Sequence, residues 1–158
     1  MKNVIIRVAH SHDLEQLNEL MFKLHDEHHD QCPDHFKTAQ EIEQDKSIAR
    51  YINAPDCFVL VACIDNNVVG FITAHFCELT SSVSKPIQMG SVDELYVVPE
   101  TRKLGIATQL YRDVEKRFDE YGVKQVFVEV WGFNQAALEL YQDLGFVHHI
   151  HWLRKPIN

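Results

Sequence analysis

The chain has 158 residues, 46% of them apolar, which suits one domain with a real core and excludes a disordered polymer. Its net charge is −8, from 23 acids and 15 bases, and phosphate contacts need clustered Lys and Arg, so nucleic acid is excluded as the main partner. No apolar stretch approaches the ~20 residues needed to cross a bilayer, and Met1–Ala9 carries neither a secretory apolar region nor a cleavage site; the expectation is a cytoplasmic protein with no membrane partner.

In chain order, Val4–Val8 reads as a first strand. A helix follows from His12, capped by Ser11, with Leu14, Leu17, Met21 and Leu24 on its buried face. Pro33 ends or breaks it. Thr38 and Glu41 form a capping-box pair, which predicts a second helix to about Tyr51, closed by Ala54-Pro55. Phe58–Ile64 and Val68–Leu79 are β-branched apolar runs joined by Asp65-Asn66-Asn67, the pattern of a hairpin. Thr80–Gln88 is a polar loop, and Ser91–Val98 a fourth strand stopped by Pro99. A helix over Ile106–Tyr121 has Ile106, Leu110, Val114 and Phe118 on one face and Gly122 at its C-terminal cap. Gln125–Trp131 reads as a strand, Gln135–Leu144 as a helix ended by Gly145, and Phe146–Leu153 as a last strand. The order β-α-α-β-β-β-α-β-α-β, with no internal repeat or linker, predicts one mixed-sheet α/β domain of the α+β type over residues 1–158.

The stretch from Val92 to Leu110 carries the most chemistry: a strand, a short loop with Gly105, then a helix. A loop that opens into a helix presents unpaired backbone N–H groups at the positive end of the helix dipole. Such a turn binds a phosphate or pyrophosphate. Gly105 lets the backbone approach the anion, Ala107 leaves room, and Arg102 and Lys103 add positive charge. The run is neither a Walker A loop nor a complete dinucleotide fingerprint. It also follows the fourth strand rather than the first, against a Rossmann reading. A plain strand-to-helix connection is the alternative.

Arg102-Lys103-Leu104-Gly105-Ile106-Ala107 resembles the R/Q-x-x-G-x-G/A pattern of the GCN5-related N-acetyltransferase (GNAT) superfamily. The preceding Leu95–Glu100 is similar to that family's fourth strand, and Asn134-x-x-Ala137-x-x-Leu140-Tyr141-x-x-x-Gly145-Phe146 to its second cofactor motif. The element order matches over almost the whole chain. The resemblance implies an acetyl-CoA-dependent N-acetyltransferase working by direct attack in a ternary complex, with no metal. It places the pyrophosphate on the backbone of Lys103, Leu104, Gly105, Ile106, Ala107 and Thr108. The pantetheine arm would pair with Tyr96, Val97 and Val98, where strands four and five splay. Asn134 matches a pantetheine contact, and Ala137 belongs to the same motif. Tyr141 matches the tyrosine that protonates the departing thiolate. Plain structural alternatives stand beside these: Tyr141 as a core aromatic, Asn134 as a helix N-cap, Tyr96 as a packing residue.

An amine must lose a proton before or during attack. Glu94 is the first candidate base, similar in placement to a strand-four glutamate of some family members; Asp93 is the weaker one, and a solvated strand residue the plain alternative. Strand alternation puts Glu94 and Tyr96 on one face, opposite Leu95 and Val97.

Seven acids stand against Lys23 alone between His12 and His35. The resemblance puts this region at the acceptor mouth. Asp26, Glu27 and Asp30 are therefore candidate substrate-binding residues for a small cationic amine; a solvated helix face is the alternative. A protein N-terminus or lysine as acceptor, or a non-catalytic acyl-CoA-binding module, are the competing functions, and a homodimer is compatible with the resemblance. His25 and His29 have metal-ligand spacing but lack the H-E-x-x-H pattern, so surface histidines are expected. Cys57, Cys63 and Cys77 lie in strand-like runs and read as buried reduced thiols.

Overall fold

The computed structural model describes residues 3–158; Met1 and Lys2, which open the segment scanned for a leader, lie outside the described residues. Strand β1 (Ile5–Val8) leads through a 3-10 turn at Ser11–Asp13 into α1 (Leu14–Gln31). The cap is not Ser11: His10 precedes the turn, and its backbone N–H donates to Asp13 Oδ2 at 2.8 Å. Arg7 donates to both oxygens of the same carboxylate, at 2.7 and 2.9 Å, so a carboxylate only 2% exposed is paired and hydrogen-bonded. The expected second helix is two short ones, α2 (Ala39–Asp45) and α3 (Ala49–Asn53). Lys46 leaves α2 in extended conformation, and that break turns Lys46 toward the sheet. The Thr38 cap forms as read, its hydroxyl accepting from Glu41 N at 3.2 Å.

Strands β2 (Cys57–Ile64) and β3 (Asn67–Leu79) make the hairpin, with Asp65 and Asn66 at φ 50° and 65°, the left-handed pair of a tight two-residue turn. Then come β4 (Ile87–Val97), α4 (Ile106–Glu120), β5 (Gln125–Val128) and α5 (Gln135–Asp143). The sheet order is β1-β2-β3-β4-β5, antiparallel except for the parallel β4–β5 pair.

Both faces of the sheet are covered, so β2 is apolar on both sides. Val59, Val61 and Cys63 meet Leu17, Leu20, Met21 and Leu24 of α1. Leu60, Ala62 and Ile64 belong to the opposite core, with Ile106, Leu110, Val114 and Phe118 of α4. Gly90 is required by this packing: a Cβ there would lie 2.5 Å from the Phe118 ring. Cys63 is buried as read, but Cys57 and Cys77 are only partly buried, Cys57 opening β2 and Cys77 lying near the end of β3.

The last strand is corrected. Residues 146–158 form no ladder. Val147, Ile150, Trp152 and Leu153 are 77–89% exposed, and the His149 ring stands against the Phe127 ring of β5, centroids 5.5 Å apart. Strand propensity becomes a strand only where backbone hydrogen bonds to an edge are made, and this tail makes none with β5. Among the described residues, no helix is long and apolar enough to cross a membrane.

Candidate active site

The site begins where the sheet opens. Strand β5 pairs with β4 only from Met89↔Gln125 to Val92↔Val128. Beyond Val92, β4 continues to Val97 with no strand partner on that side among the described residues. The length Asp93–Val97, which no strand pairs on this side, leaves backbone groups that an extended ligand arm can satisfy, except the Val97 carbonyl, which accepts from Arg102 Nε. Of the residues the resemblance assigns to the pantetheine arm, Tyr96 and Val97 lie on this length and Val98 just past it.

A β-bulge arms this edge. Thr73 pairs with Glu94 but Ala74 with Val92, so Asp93 is an extra residue in β4. Val92 and Leu95 belong to the α4-side core and Tyr96 to the α1-side core. The bulge therefore gives the α1 side two successive carboxylates. Alternation correctly pairs Glu94 with Tyr96, but it has no place for Asp93 on that side.

Each carboxylate has partners. Glu94, 7% exposed, receives the Lys46 ammonium on Oε1 and the Thr73 hydroxyl on Oε2. Its backbone N–H donates to Thr73 Oγ1 at 2.9 Å. Asp93 takes His75 Nδ1 at 2.6 Å on one oxygen and Ser91 Oγ at 2.9 Å on the other. Tyr51 lies near both: burial, then the Glu94 and Asp93 charges, push its phenol well above the usual range.

Lys46, Tyr51, His75, Ser91, Asp93 and Glu94 border an open cleft of about 2280 Å³, and Tyr141 reaches the same cleft from α5. The Tyr141 ring packs edge-on against Tyr111 and Phe146, at 6.4 and 5.2 Å between centroids. Burial pushes its phenol well above the ordinary value, so it holds its proton across the physiological range. It is thus both a core aromatic and a cleft residue. Asn134 caps α5, its side chain accepting from Ala137 N at 3.1 Å. This fixes the turn from which α5 carries Tyr141.

The turn before α4 has the geometry of an anion cradle. Lys103 and Gly105 both have positive φ, 66° and 79°. The first hydrogen bond into the helix is Gln109 N to Gly105 O, at 3.0 Å, so the N–H groups of Ile106, Ala107 and Thr108 precede it. Leu104 is exposed at 62%, while Ile106 is buried and anchors the helix start. Arg102 braces the turn: its Nε donates to Val97 O at 2.7 Å, and its Nη2 reaches both oxygens of Glu27 at 3.1 and 3.3 Å. Its guanidinium also lies over the Tyr96 ring, 5.3 Å from the centroid. The Tyr96 hydroxyl donates to Glu27 at 3.3 Å, and burial and then Glu27 push that phenol up to about 12.

Not every expected residue meets the cleft. Asp26, Glu27 and Asp30 do not border it, and neither does the turn from Arg102 to Thr108. Glu27 is tied to that turn through Arg102, while Asp26 and Asp30 face solvent. The His25 imidazole, with no partner on Nε2, is pushed down to about 4 by burial and then by Lys46, so it is neutral. His29 Nδ1 lies 3.0 Å from Phe36 O. Among the described residues, no three His, Cys, Asp or Glu side chains converge as metal ligands.

Sequence reasoning passed over Lys46, Thr73, His75 and the rings Phe36, Trp131 and Phe133. The rings carried a signal, since large aromatics in loop sequence ask for a partner. Lys46, Thr73 and His75 carried none.

A profile of the acetyltransferase (GNAT) family matches residues 21–146, and the chain belongs to that family. It is 34% identical over 94 residues to an N-alpha-acetyltransferase of Saccharolobus solfataricus, covering 54% of each chain. It is 30% identical over 93 residues to a mycothiol acetyltransferase of Paenarthrobacter aurescens, covering 59% of this chain and 28% of that one. The chain thus spans about half or less of the curated relatives it matches. Among solved structures, an acetyltransferase from Vibrio fischeri is 52% identical with a TM-score of 0.68, covering 80% of this chain and 96% of that one. An aminoglycoside N-acetyltransferase in complex with CoA shares the fold, at 19% identity and a TM-score of 0.73, with 99% and 97% of the chains covered.

Proposed function

We propose that this chain is an acetyl-CoA-dependent N-acetyltransferase that acetylates the primary amine of a small cationic molecule by direct attack. The observation that carries this reading is the opening of the sheet after Val92 and Val128. One strand edge is left free between a pyrophosphate-type turn and a cleft that holds a buried carboxylate and a protonated phenol. Acetyl-CoA would lay its pyrophosphate on the N–H groups at the start of α4 and its pantetheine arm along Tyr96–Val98. The amine nitrogen attacks the thioester carbonyl carbon, and the carbon–sulfur bond breaks. Tyr141 gives its proton to the leaving thiolate. Glu94 takes the proton the amine loses, with Asp93 beside it, and the free CoA thiol and the acetamide leave. We place the reaction in the cytosol.

The acidic surface of α1 would concentrate a cation near the cleft without touching it. The name of the N-alpha-acetyltransferase relatives supports a second reading, a peptide N-terminus as acceptor. A screen that follows free CoA release with small amines and with short peptides tests both. Release with acetyl-CoA and an amine is expected. If only peptides are turned over, the second reading replaces the first. If neither is, while CoA still binds, the chain is an acyl-CoA-binding module.

A further inference from the structure

Four rings line the cleft and have no part in the transfer chemistry. Phe36, from the segment between α1 and α2, meets Trp131 edge-on with centroids 4.7 Å apart. It also stands 6.0 Å from Phe133. Trp131 and Phe133, from the loop between β5 and α5, are nearly parallel, 12° apart with centroids at 6.5 Å. His35 flanks Trp131 at 5.0 Å. Rings that served only to join two loops would be buried against each other. Here Trp131 remains 41% exposed and Phe133 36%. All four border the same cleft as Asp93 and Glu94.

We infer that this aromatic wall is the acceptor subsite, and that the acceptor is an arylalkylamine, a primary amine carried on a flat apolar body. The inference rests on the acetyl-transfer reading above and deepens it. Flat apolar surface stacks on Trp131 and Phe133 and is removed from water there. An ammonium on a short alkyl arm is drawn by ring faces that attract cations and by the carboxylates that border the same cleft. The pairing is one of charge and shape: one cleft is lined by both the acids and the rings. A polyamine would need acids spaced along its whole length. A polyhydroxylated aminosugar would need hydrogen-bonding side chains where Trp131, Phe133 and Phe36 stand. The exposed acids Asp26 and Asp30 lie outside the cleft and offer neither of them a seat.

The test measures kcat/KM with 2-phenylethylamine, butylamine, spermidine and an aminoglycoside at saturating acetyl-CoA. The expected order puts 2-phenylethylamine first, at least about tenfold above butylamine. Trp131→Ala and Phe133→Ala should each raise the KM for 2-phenylethylamine and collapse that preference, while Trp131→Phe, which keeps a ring, should retain most of it. CoA affinity by calorimetry reports whether each variant folds. Spermidine or the aminoglycoside as best acceptor overturns the inference and leaves acetyl transfer standing, as does equal use of 2-phenylethylamine and butylamine. A preference that survives both alanine variants also overturns it. Turnover of peptides alone, or of nothing, removes the small-amine reading and this subsite with it.

Discussion

Lys46 Nζ donates to Glu94 Oε1 across 48 positions of sequence, and it is the break between α2 and α3 that brings the two together. Glu94 is almost wholly buried, so its carboxylate depends on Lys46 and Thr73 for pairing. Stability measured on Lys46→Met, Glu94→Gln and the double variant should give a coupling of about 1–3 kcal/mol. Coupling near zero would show that the pair contributes only geometry. Glu94→Gln should also lower kcat by roughly 10²-fold if Glu94 takes the amine proton. An undiminished kcat, with chemistry shown to be rate-limiting, would move that role to Asp93.

Tyr141→Phe should lower kcat by about 10²-fold and leave the KM for acetyl-CoA nearly unchanged. Because burial raises the phenol's pKa, the wild type should show no loss of rate from Tyr141 ionisation below about pH 10. A Phe variant with wild-type turnover would leave Tyr141 as a packing residue of the Tyr111–Phe146 cluster.

Gly105→Val should abolish CoA binding in calorimetry and leave the circular dichroism spectrum largely intact. A Cβ at Gly105 would meet nothing within 4 Å, so the cost lies in the backbone: φ of 79° is an outlier for a β-branched residue. The chain would relax by moving the N–H groups that open α4. Unchanged CoA affinity would remove the pyrophosphate from this turn.

The acids of α1 divide into two roles. Glu27 holds Arg102 against the turn, so Glu27→Gln should raise the KM for acetyl-CoA. Asp26 and Asp30 face solvent, and Asp26→Asn/Asp30→Asn should raise the KM for a cationic acceptor instead. Exposed charge is screened over ~8 Å at physiological ionic strength, so added salt should mimic the double variant. If acceptor kinetics ignore both salt and the double variant, these two acids are only a solvated helix face.

Asp13 is the acid-sensitive point of the fold. Hydrogen bonds from Arg7 hold its carboxyl down to about 2, against an ordinary 3.8. A folded pKa below the unfolded one stabilises the protein above about pH 4, and that stabilisation is lost as pH falls from 4 toward 2. The contribution is at most ~2 kcal/mol, reduced because Arg7 is one-third exposed. Asp13→Asn should lower Tm at pH 7 and flatten the decline in stability between pH 4 and pH 2. A variant as acid-sensitive as the wild type would place that dependence elsewhere.

The sequence by itself determined what depends on near neighbours along the chain. The Thr38 cap, the hairpin turn at Asp65-Asn66, the buried stripe of α4, the Gly105 turn before it and the N-cap that was the plain alternative for Asn134 are all local patterns, and each forms where the sequence put it. The tertiary structure decided what depends on how distant segments register. The bulge at Asp93 exists only relative to the pairing of β3 and β4, and it puts two carboxylates on one side where alternation allows one. Lys46 reaches Glu94 because the capped helix ends at Asp45, short of the Tyr51 to which its sequence extends it. Phe36 meets Trp131 only when two loops nearly a hundred residues apart converge. Residues 146–153 carry a strand's pattern without the hydrogen bonds of a strand, since a ladder belongs to a pair of segments and no single segment contains it.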